Sequence, residues 1–502
     1  MKTGRWAMLV TGPLLAGIIM TVFTLDPEHP EAVRTAGIAV WMAFWWITEA
    51  VPLAVTALLP VVFFPALGIM NGKSVAPLYF NHIIFLFLGG FLVALAMERW
   101  NLHRRIALTI LTRVGASPRN ILFGFMGATA FLSMWISNTA TTMMMVPIAL
   151  AIILNLEDHY SREILFPFAT AIFLGIAYAA SIGGIATLVG TPPNLVLARM
   201  LQILFPRAPE INFLTWMIFG VPLAVVFLLI TWFFLHRRYS SKVHFGDLDT
   251  SLFQDQLRGM GPMNWEERWV LADFILLALL WITRSDLNLG HLSLPGWSRL
   301  FSHPEYINDG TVAIAMALVL FVVPTRTERG TTVLNWETAR GIPWNIVLLF
   351  GGGFALAAGF KESGLAAWLG HHFTSLQEVP LLGILLLLAL FVTFLTELTS
   401  NTATAQILIP ILASLAVDIR IHPLFLLIPA TLSCSFAFML PVATPPNAII
   451  FGTDRVEIRD MVRTGIRLNL IGALLITAAI YTIGVSVFHI DLSALPGWAV
   501  SP

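Results

Sequence analysis

The sequence predicts an all-α polytopic membrane protein with about eleven transmembrane helices, two re-entrant hairpins and inverted structural repeats. Three observations lead to this fold class. The 502 residues are 57% hydrophobic and 11% charged with a mean hydropathy of +0.83, whereas soluble domains carry about 25% charged residues. Many apolar runs are long enough for a helix to cross a bilayer core about 30 Å thick. Several sequence blocks also occur twice along the chain.

Eleven apolar runs are predicted to span the membrane, because each approaches or exceeds the roughly 20 residues that a transmembrane helix needs. The first run has a basic start but no small-residue cleavage site, so we interpret it as a retained span rather than a signal peptide. The predicted spans are 6–25, 33–50, 51–69, 81–98, 163–198, 213–235, 269–284, 310–325, 344–360, 423–452 and 468–488.

Two further apolar stretches, 120–156 and 382–418, are each long enough for two helical legs. The same polar pentapeptide, Ser-Asn-Thr-Ala-Thr, interrupts both near the middle, beginning at Ser137 and again at Ser400. We predict two hairpins that each enter and leave the membrane on one side, with a pentapeptide at each tip.

The orientation follows from the basic residues of the short loops. If both hairpins are re-entrant, Arg104, Arg105, Arg237 and Arg238 fall on one side, whereas the C-terminal residues 489–502 contain no Lys or Arg. The sequence therefore predicts a multi-pass protein of the cell (inner) membrane. Its N-terminus is expected in the cytoplasm and its C-terminus outside.

The chain also contains two related halves. The block "IIFLFLGGF" that begins at Ile83 matches "IVLLFGGGF" at Ile346, with the same 263-residue offset as the pentapeptides. "VGTPPN" ending at Asn194 likewise matches "VATPPN" ending at Asn447. In the predicted topology one glycine-rich helix runs inward and the other outward, so the repeats are inverted. Inverted repeats with interrupted helices indicate a secondary transporter whose site lies at the repeat interface, near the membrane midplane.

The polar groups of the repeated motifs are suited to binding both a cation and an anion. The paired prolines leave backbone carbonyls without helical partners, and these carbonyls, with Ser and Asn oxygens, suit a small hard cation such as sodium. Asn amides, Thr hydroxyls and helix N-termini offer donors to an anion. The alternative is that these side chains only hydrogen-bond neighbouring helices and the prolines only kink them. The motifs are duplicated in a shared register, and this duplication favours the binding interpretation over the structural one.

These residues resemble the divalent anion sodium symporter family, which carries dicarboxylates, citrate and sulfate. The resemblance covers nearly the whole chain and includes "WWITEAVPLAVTALLP", both Ser-Asn-Thr tips and "CSFAFMLPVATPPNAII". It implies a homodimer in which each protomer has a scaffold domain and a transport domain that moves as an elevator. It places scaffold helices in 1–119 and 241–381, and the two halves of the transport domain in 120–240 and 382–502.

The resemblance also implies binding residues. One sodium site is expected at Ser133, Ser137, Asn138 and Gly190. Its mirror image is expected at Thr396, Thr399, Ser400, Asn401 and Ala443, with Thr399 contributing its backbone carbonyl. The substrate is expected to contact Asn138, Thr139, Thr191, Asn401, Thr402, Thr444 and Pro445.

The resulting functional prediction is sodium-coupled uptake of small divalent anions, with C4-dicarboxylates such as succinate, malate or fumarate as expected substrates. Sodium is the coupling ion, and no cofactor or nucleic-acid partner is expected. A dicarboxylate exchanger and a sodium/sulfate or sodium/citrate symporter remain alternatives within the family. An intramembrane enzyme is disfavoured because no nucleophile is paired with a base, and a passive channel because two hairpins closing on a midplane site favour occlusion.

Three further residues have sequence contexts that suggest a role. Glu49 in "WITEAVP" and Glu397 in "LTELTSN" are carboxylates within predicted apolar segments. We expect a structural hydrogen bond for Glu49, and for Glu397 either tuning of the second sodium site or organisation of the hairpin. Gln406 stands where the first repeat has Met143, and the sequence leaves open whether it faces the substrate.

Overall fold

The computed structural model describes residues 2–115, 117–158, 160–241, 251–289, 292–371 and 380–500. The parts of the predicted domains at 1, 116, 159, 242–250, 290–291, 372–379 and 501–502 lie outside the described residues. Apart from an antiparallel hairpin of Leu287–Leu289 with Leu292–Leu294 and one isolated bridge, the regular structure within these ranges is helical. The predicted all-α class is therefore confirmed.

Helices occupy each predicted span, and three of the predicted spans, 51–69, 163–198 and 423–452, are each divided between two helices. Before the first hairpin they are Lys2–Val22, Pro30–Thr48, Leu53–Thr56, Leu59–Ala66, Gly72–Val75, His82–Arg99 and Leu102–Leu111. The helices that follow, up to the middle of the chain, are Pro118–Ser133, Asn138–Glu157, Arg162–Gly184, Pro192–Leu204 and Phe213–Leu235.

The second half repeats this order. Its first helices are Ser251–Gly259, Trp265–Ile282, Asp309–Val322, Trp336–Ala339, Trp344–Glu362 and Leu365–His371. The remaining helices are Leu381–Thr396, Asn401–Asp418, Leu424–Ser433, Pro445–Phe451, Ile458–Ala479 and Val485–Val487.

Seven helical segments in the described part of the chain are long and apolar enough to cross a membrane, and five shorter helices are also apolar. The longer segments are Gly72–Arg99, Asn138–Glu157, Arg162–Gly184, Phe213–Ser240, Trp344–Glu362, Asn401–Asp418 and Ile458–Val487.

The predicted single span at 51–69 is wrong, because the structure divides it into Leu53–Thr56 and Leu59–Ala66. Pro60 lies in the first turn of the second piece. Proline has no backbone N–H to donate to the carbonyl four residues earlier, so the first helix stops at Thr56 and a new one starts.

Each predicted hairpin consists of two helices joined by four residues. The first hairpin, Pro118–Ser133 with Asn138–Glu157, turns at 134–137; the second hairpin, Leu381–Thr396 with Asn401–Asp418, turns at 397–400. Ser137 caps the second leg of the first hairpin, since its Oγ accepts a hydrogen bond from the Ala140 N–H at 3.2 Å. The polar pentapeptide thus begins a helix and lies at the hairpin tip.

Two broken helices carry the Thr-Pro-Pro-Asn motifs. The first broken helix is Arg162–Gly184 with Pro192–Leu204, and the second is Leu424–Ser433 with Pro445–Phe451. Asn194 Nδ2 donates to the Thr187 carbonyl at 2.7 Å, and Asn447 Nδ2 donates to the equivalent Leu440 carbonyl at 3.0 Å. The two buried amides therefore satisfy carbonyls that the breaks leave without a helical partner.

The repeated glycines lie at close helix crossings. A β-carbon added at Gly89 would lie 2.5 Å from Ala313, and one added at the equivalent Gly352 would lie 2.4 Å from the Ala57 carbonyl oxygen. Only glycine allows the backbones to approach this closely. These crossings connect each glycine-rich helix to the neighbouring predicted scaffold helices.

Candidate substrate and cation site

Both hairpin tips and both helix breaks border one cavity of about 860 Å³. The predicted substrate residues all line it: Asn138, Thr139, Thr191, Asn401, Thr402, Thr444 and Pro445. The opposite wall comes from predicted scaffold elements and includes Trp46, Glu49, Phe87, Phe91 and Asn345. The cavity therefore lies between the two repeats and between the two predicted domains.

Three oxygen atoms converge beside the tip of the first hairpin. Ser133 Oγ lies 2.6 Å from Asn138 Oδ1 and 2.7 Å from the Ala180 carbonyl oxygen. Gly184 packs against the Asn138 amide, and Ser137 and Gly190 line the adjacent cavity wall. We call Ser133, Ser137, Asn138 and Gly190 the first oxygen cluster.

The second hairpin has the corresponding arrangement. Thr396 Oγ1 lies 2.7 Å from Asn401 Oδ1 and 2.9 Å from the Cys434 carbonyl oxygen. The Thr399 hydroxyl is bonded to the Leu395 carbonyl and to Thr404 Oγ1, which leaves the Thr399 carbonyl as its available group. We call Thr396, Thr399, Ser400, Asn401 and Ala443 the second oxygen cluster.

At each hairpin tip a single hydroxyl hydrogen faces two oxygen acceptors. In each cluster one hydroxyl faces an amide oxygen and a carbonyl oxygen, and it can donate to only one of them. Ser133 and Thr396 are fully buried, so bulk water does not compensate for the missing donor. An environment of this kind suits a small cation that prefers oxygen ligands.

The remainder of the cavity wall can bind an anion without a permanent positive charge. The helices Asn138–Glu157, Asn401–Asp418 and Pro192–Leu204 begin at the cavity, where their N–H groups and dipoles favour negative charge. Among the described residues that line the cavity, the only ionisable side chain is that of Glu49.

The expected structural hydrogen bond of Glu49 is not found. Glu49 follows helix Pro30–Thr48 in a left-handed conformation with φ of 48°, and its exposed side chain lines the cavity. It forms no hydrogen bond with the residues that the structure describes. The left-handed turn ends the helix and directs the chain into the cavity wall.

Gln406 does not line the cavity. Its buried amide donates to the Leu349 carbonyl at 2.9 Å, and its side chain packs against Gly353 of helix Trp344–Glu362. It therefore connects the second hairpin to a predicted scaffold helix.

Sequence reasoning missed the structural function of Asn194 and Asn447. A signal existed, since both residues end the repeated Thr-Pro-Pro-Asn motif. A buried side chain with two donors, placed just after a helix break, is suited to satisfying the carbonyls of that break.

Comparisons with known proteins agree over nearly the full length. The profile of the family described as the sodium:sulfate symporter transmembrane region matches residues 5–490. The sodium-dependent dicarboxylate transporter SdcS of Staphylococcus saprophyticus is 43% identical over 98% of this chain and 94% of that protein. SdcS of Staphylococcus aureus is 44% identical with the same coverage of both chains.

Two solved structures share the fold at low sequence identity. Neisseria gonorrhoeae MtrF, described as illuminating a class of antimetabolite efflux pumps, has a TM-score of 0.54 at 14% identity, over 96% of this chain and 100% of its own. The Alcanivorax borkumensis YdaH transporter has a TM-score of 0.55 at 13% identity, over 89% and 98%. The near-complete family match and the relatives above 40% identity establish that this chain belongs to the sodium:sulfate symporter family.

Proposed function

We propose that this protein is a secondary transporter that couples sodium to the uptake of small divalent anions, with C4-dicarboxylates as substrates. The observation that carries the proposal is the pair of equivalent oxygen clusters on either side of one cavity. The names of the SdcS relatives support both the coupling ion and the substrate class.

Each oxygen cluster is proposed to bind one sodium ion. The first ion would be held by Ser133, Ser137, Asn138 and Gly190, and the second by Thr396, Thr399, Ser400, Asn401 and Ala443. Oxygen atoms that share too few hydrogens cannot all form hydrogen bonds, but they can all coordinate a cation. Each sodium that moves inward with uncompensated charge adds about 2.3 kcal/mol of driving force per 100 mV of membrane potential.

The dianion is proposed to bind between the clusters. Asn138 and Thr139 would bind one carboxylate and Asn401 and Thr402 the other, with Thr191, Thr444 and Pro445 completing the pocket. Because the described cavity wall contains no Lys or Arg, the positive charge has to arrive with sodium. Sodium binding would thus create the electrostatic condition for anion binding, which is the basis of coupling.

Transport is proposed to follow an elevator mechanism in a homodimer of the inner membrane, with the N-terminus in the cytoplasm and the C-terminus outside. The transport domain would comprise 120–240 and 382–502, and the scaffold 1–119 and 241–381. The cavity supports this division, because one wall comes from hairpin tips and helix breaks and the other from predicted scaffold residues. Displacement of one wall against the other would move the binding groups relative to the membrane.

The substrate and the coupling mode are the points on which the alternatives differ. The family name points to sulfate and the SdcS names to dicarboxylates. We would measure uptake of radiolabelled succinate into proteoliposomes under an inward sodium gradient, with a potassium gradient as control and sulfate and citrate as competitors. Sodium-dependent succinate uptake that excess sulfate does not inhibit supports the proposal. Sodium-independent counterflow would instead identify an exchanger.

Two substitutions test the binding residues. We expect Asn138→Ala or Asn401→Ala to abolish sodium-driven succinate uptake, because each removes an amide from both an oxygen cluster and the substrate pocket. Asn155→Ala is the matched control, since Asn155 is exposed on the same helix as Asn138. All three variants should elute as folded protein in size-exclusion chromatography. Wild-type uptake by either cluster variant contradicts the site assignment.

A further inference from the structure

We propose that Glu397 is a positioning residue that increases the sodium affinity of the second oxygen cluster and thereby makes the two clusters unequal. The inference rests on the proposed function and concerns a residue that contacts neither the cavity nor, in the proposed site, the substrate. Glu397 directly follows Thr396 of the cluster, and its side chain is buried, with 3% exposed.

The Glu397 carboxylate connects three elements through four hydrogen bonds. Its Oε1 accepts from the backbone N–H groups of Phe438 and Met439 at 2.8 and 2.9 Å, and Oε2 from that of Leu440 at 3.1 Å. Asn469 Nδ2 of the last long helix donates to Oε1 at 2.7 Å. The carboxylate therefore fixes the hairpin tip to the unwound segment of the second broken helix.

That unwound segment is also the source of oxygen ligands. The Cys434 carbonyl lies beside Thr396 Oγ1, and Ala443 follows Leu440 by three residues. A carboxylate that holds Phe438, Met439 and Leu440 thus determines where both ends of the segment lie relative to the hairpin. Position alone would make Glu397 a structural support for the second cluster.

The first repeat uses no charge at the equivalent place. Met134 occupies the position of Glu397, and its backbone carbonyl accepts a hydrogen bond from Thr187 Oγ1 at 2.5 Å. Thr187 Oγ1 in turn accepts from the Gly190 N–H at 3.0 Å. A neutral hydroxyl therefore connects hairpin tip to helix break in one repeat, and a carboxylate does so in the other.

The charge of Glu397 is not neutralised by a neighbouring cation. Its four partners are neutral amides, and no ion pair to Glu397 occurs among the residues that the structure describes. Two acceptor-only oxygens facing four donors match the ionised carboxylate. A negative charge on the residue that follows Thr396 attracts sodium to the second cluster, because screening is weak in a buried site. The first cluster has no such charge at the equivalent position.

The test separates charge from support. Purified wild-type protein, Glu397→Gln and Asn469→Ala would be titrated with sodium against choline at constant ionic strength, with the rise in melting temperature as the readout. Glu397→Gln removes the charge, whereas Asn469→Ala removes one hydrogen bond and keeps the charge. We expect Glu397→Gln to raise the half-effective sodium concentration about tenfold, and Asn469→Ala to change it less than about twofold.

Transport provides a second readout, because a merely structural role would not separate the sodium dependence from the succinate dependence. At saturating sodium, Glu397→Gln should keep the succinate half-saturation concentration within about twofold of the wild type, because no proposed substrate contact is lost. Equal shifts in sodium dependence for Glu397→Gln and Asn469→Ala would show that Glu397 is only a support. Wild-type sodium dependence in Glu397→Gln would also overturn the inference.

A third variant keeps the inference testable if Glu397→Gln does not fold. Glu397→Asp retains the charge on a shorter side chain, so its sodium response should stay closer to the wild type than that of any folded neutral variant, including Glu397→Ala. Loss of the sodium response in Glu397→Asp overturns the role of charge. If the wild-type protein itself shows no sodium response, the proposed function fails and not this inference alone.

Discussion

The amide of Asn138 has little free space around it. Its Oδ1 lies 2.6 Å from Ser133 Oγ, and a β-carbon added at Gly184 would lie 2.6 Å from the same oxygen. The equivalent position in the second repeat is Ala437, so the second cluster accommodates a methyl group where the first does not. The first cluster therefore depends on a glycine that the hydrogen bonds alone do not reveal.

We predict that Gly184→Ala weakens sodium binding with a small effect on folding. The added methyl must displace the Asn138 amide, and overpacking of this kind costs about 1–3 kcal/mol, which corresponds to a rise of about 5- to 150-fold in the half-activating sodium concentration. Gly127→Ala is the matched control, because a β-carbon there meets no atom within 4 Å. Sodium activation of succinate uptake measures the effect. An unchanged activation curve for Gly184→Ala would contradict the placement of Asn138 in the site.

At this scale the sequence predicted residues that line the cavity, and not how their neighbours support them. Asn138 and Asn401 were predictable because each follows the same serine in a repeated motif inside apolar sequence. The carbonyl contacts of Asn194 and Asn447 depend on the three-dimensional path of the helix breaks. The four donors to Glu397 come from positions 41 to 72 residues away, a separation at which no local pattern applies.

Three of the polar contacts between the second-repeat scaffold elements and the transport half are donated by the side chains of Gln406, Lys361 and Ser414. Gln406 Nε2 donates to the Leu349 carbonyl, Lys361 Nζ donates to the Ile203 carbonyl at 3.1 Å, and Ser414 Oγ donates to the Ala366 carbonyl. The positions 263 residues earlier than Gln406, Lys361 and Ser414 hold Met143, Glu98 and Ala151, none of which carries an equivalent donor. These three contacts therefore have no equivalent in the first repeat.

We predict that Gln406→Met accelerates transport without changing substrate affinity. If the second hairpin moves against helix Trp344–Glu362, the Gln406 bond must break in every cycle, and a buried hydrogen bond contributes about 1 kcal/mol, or about fivefold in rate. The maximal uptake rate should rise by up to this factor, while the succinate KM stays within about twofold, because Gln406 does not line the cavity.

Thr477→Val provides the control for this prediction. The buried Thr477 Oγ1 donates a hydrogen bond to the Ala473 carbonyl of its own helix at 2.8 Å, so its loss breaks no hydrogen bond between elements. Equal rates for Gln406→Met and wild type would show that the contact is not broken during transport. A large change in KM would instead connect Gln406 to the site.

The order of elements was largely predictable because hydrophobic length and the repeat are strong signals. The break at Leu53–Thr56 and Leu59–Ala66 was not predicted, since hydropathy does not register the missing N–H of Pro60. Helix Leu102–Leu111 has its counterpart at Leu365–His371, and the two helices begin 263 residues apart. The repeat therefore relates two short helices that the predicted spans did not include.

Two cavity residues of the second repeat are more exposed than their equivalents in the first repeat, so the cavity is open mainly on one side. Leu398 and Val442 of the second repeat line the cavity with 69% and 83% of their surface exposed. The equivalent of Leu398 is Trp135, which is partly buried and stacks on Phe213. Glu49, at the cavity wall, lies at a helix end on the predicted cytoplasmic side. We infer an arrangement that opens towards the cytoplasm.

A cysteine introduced at Val442 tests this arrangement and the predicted orientation together. Cys434 is the only native cysteine and is fully buried, so we expect the wild-type protein not to be labelled. We expect a membrane-impermeant maleimide to label Val442→Cys in inside-out vesicles and not in right-side-out vesicles. Sodium with succinate should slow the labelling, because the proposed substrate and the second cluster occupy the cavity beside Val442.

Leu300 serves as the marker for the opposite membrane face, because it is 85% exposed in a connection predicted to lie outside. Leu300→Cys should be labelled only in right-side-out vesicles. If Val442→Cys and Leu300→Cys are labelled from the same face, the cavity opens outward in the resting protein. If both labelling patterns are reversed, the predicted orientation is wrong, but the cavity still opens on the face opposite Leu300. The two conclusions are separate because the positive-inside rule and the cavity geometry are independent arguments.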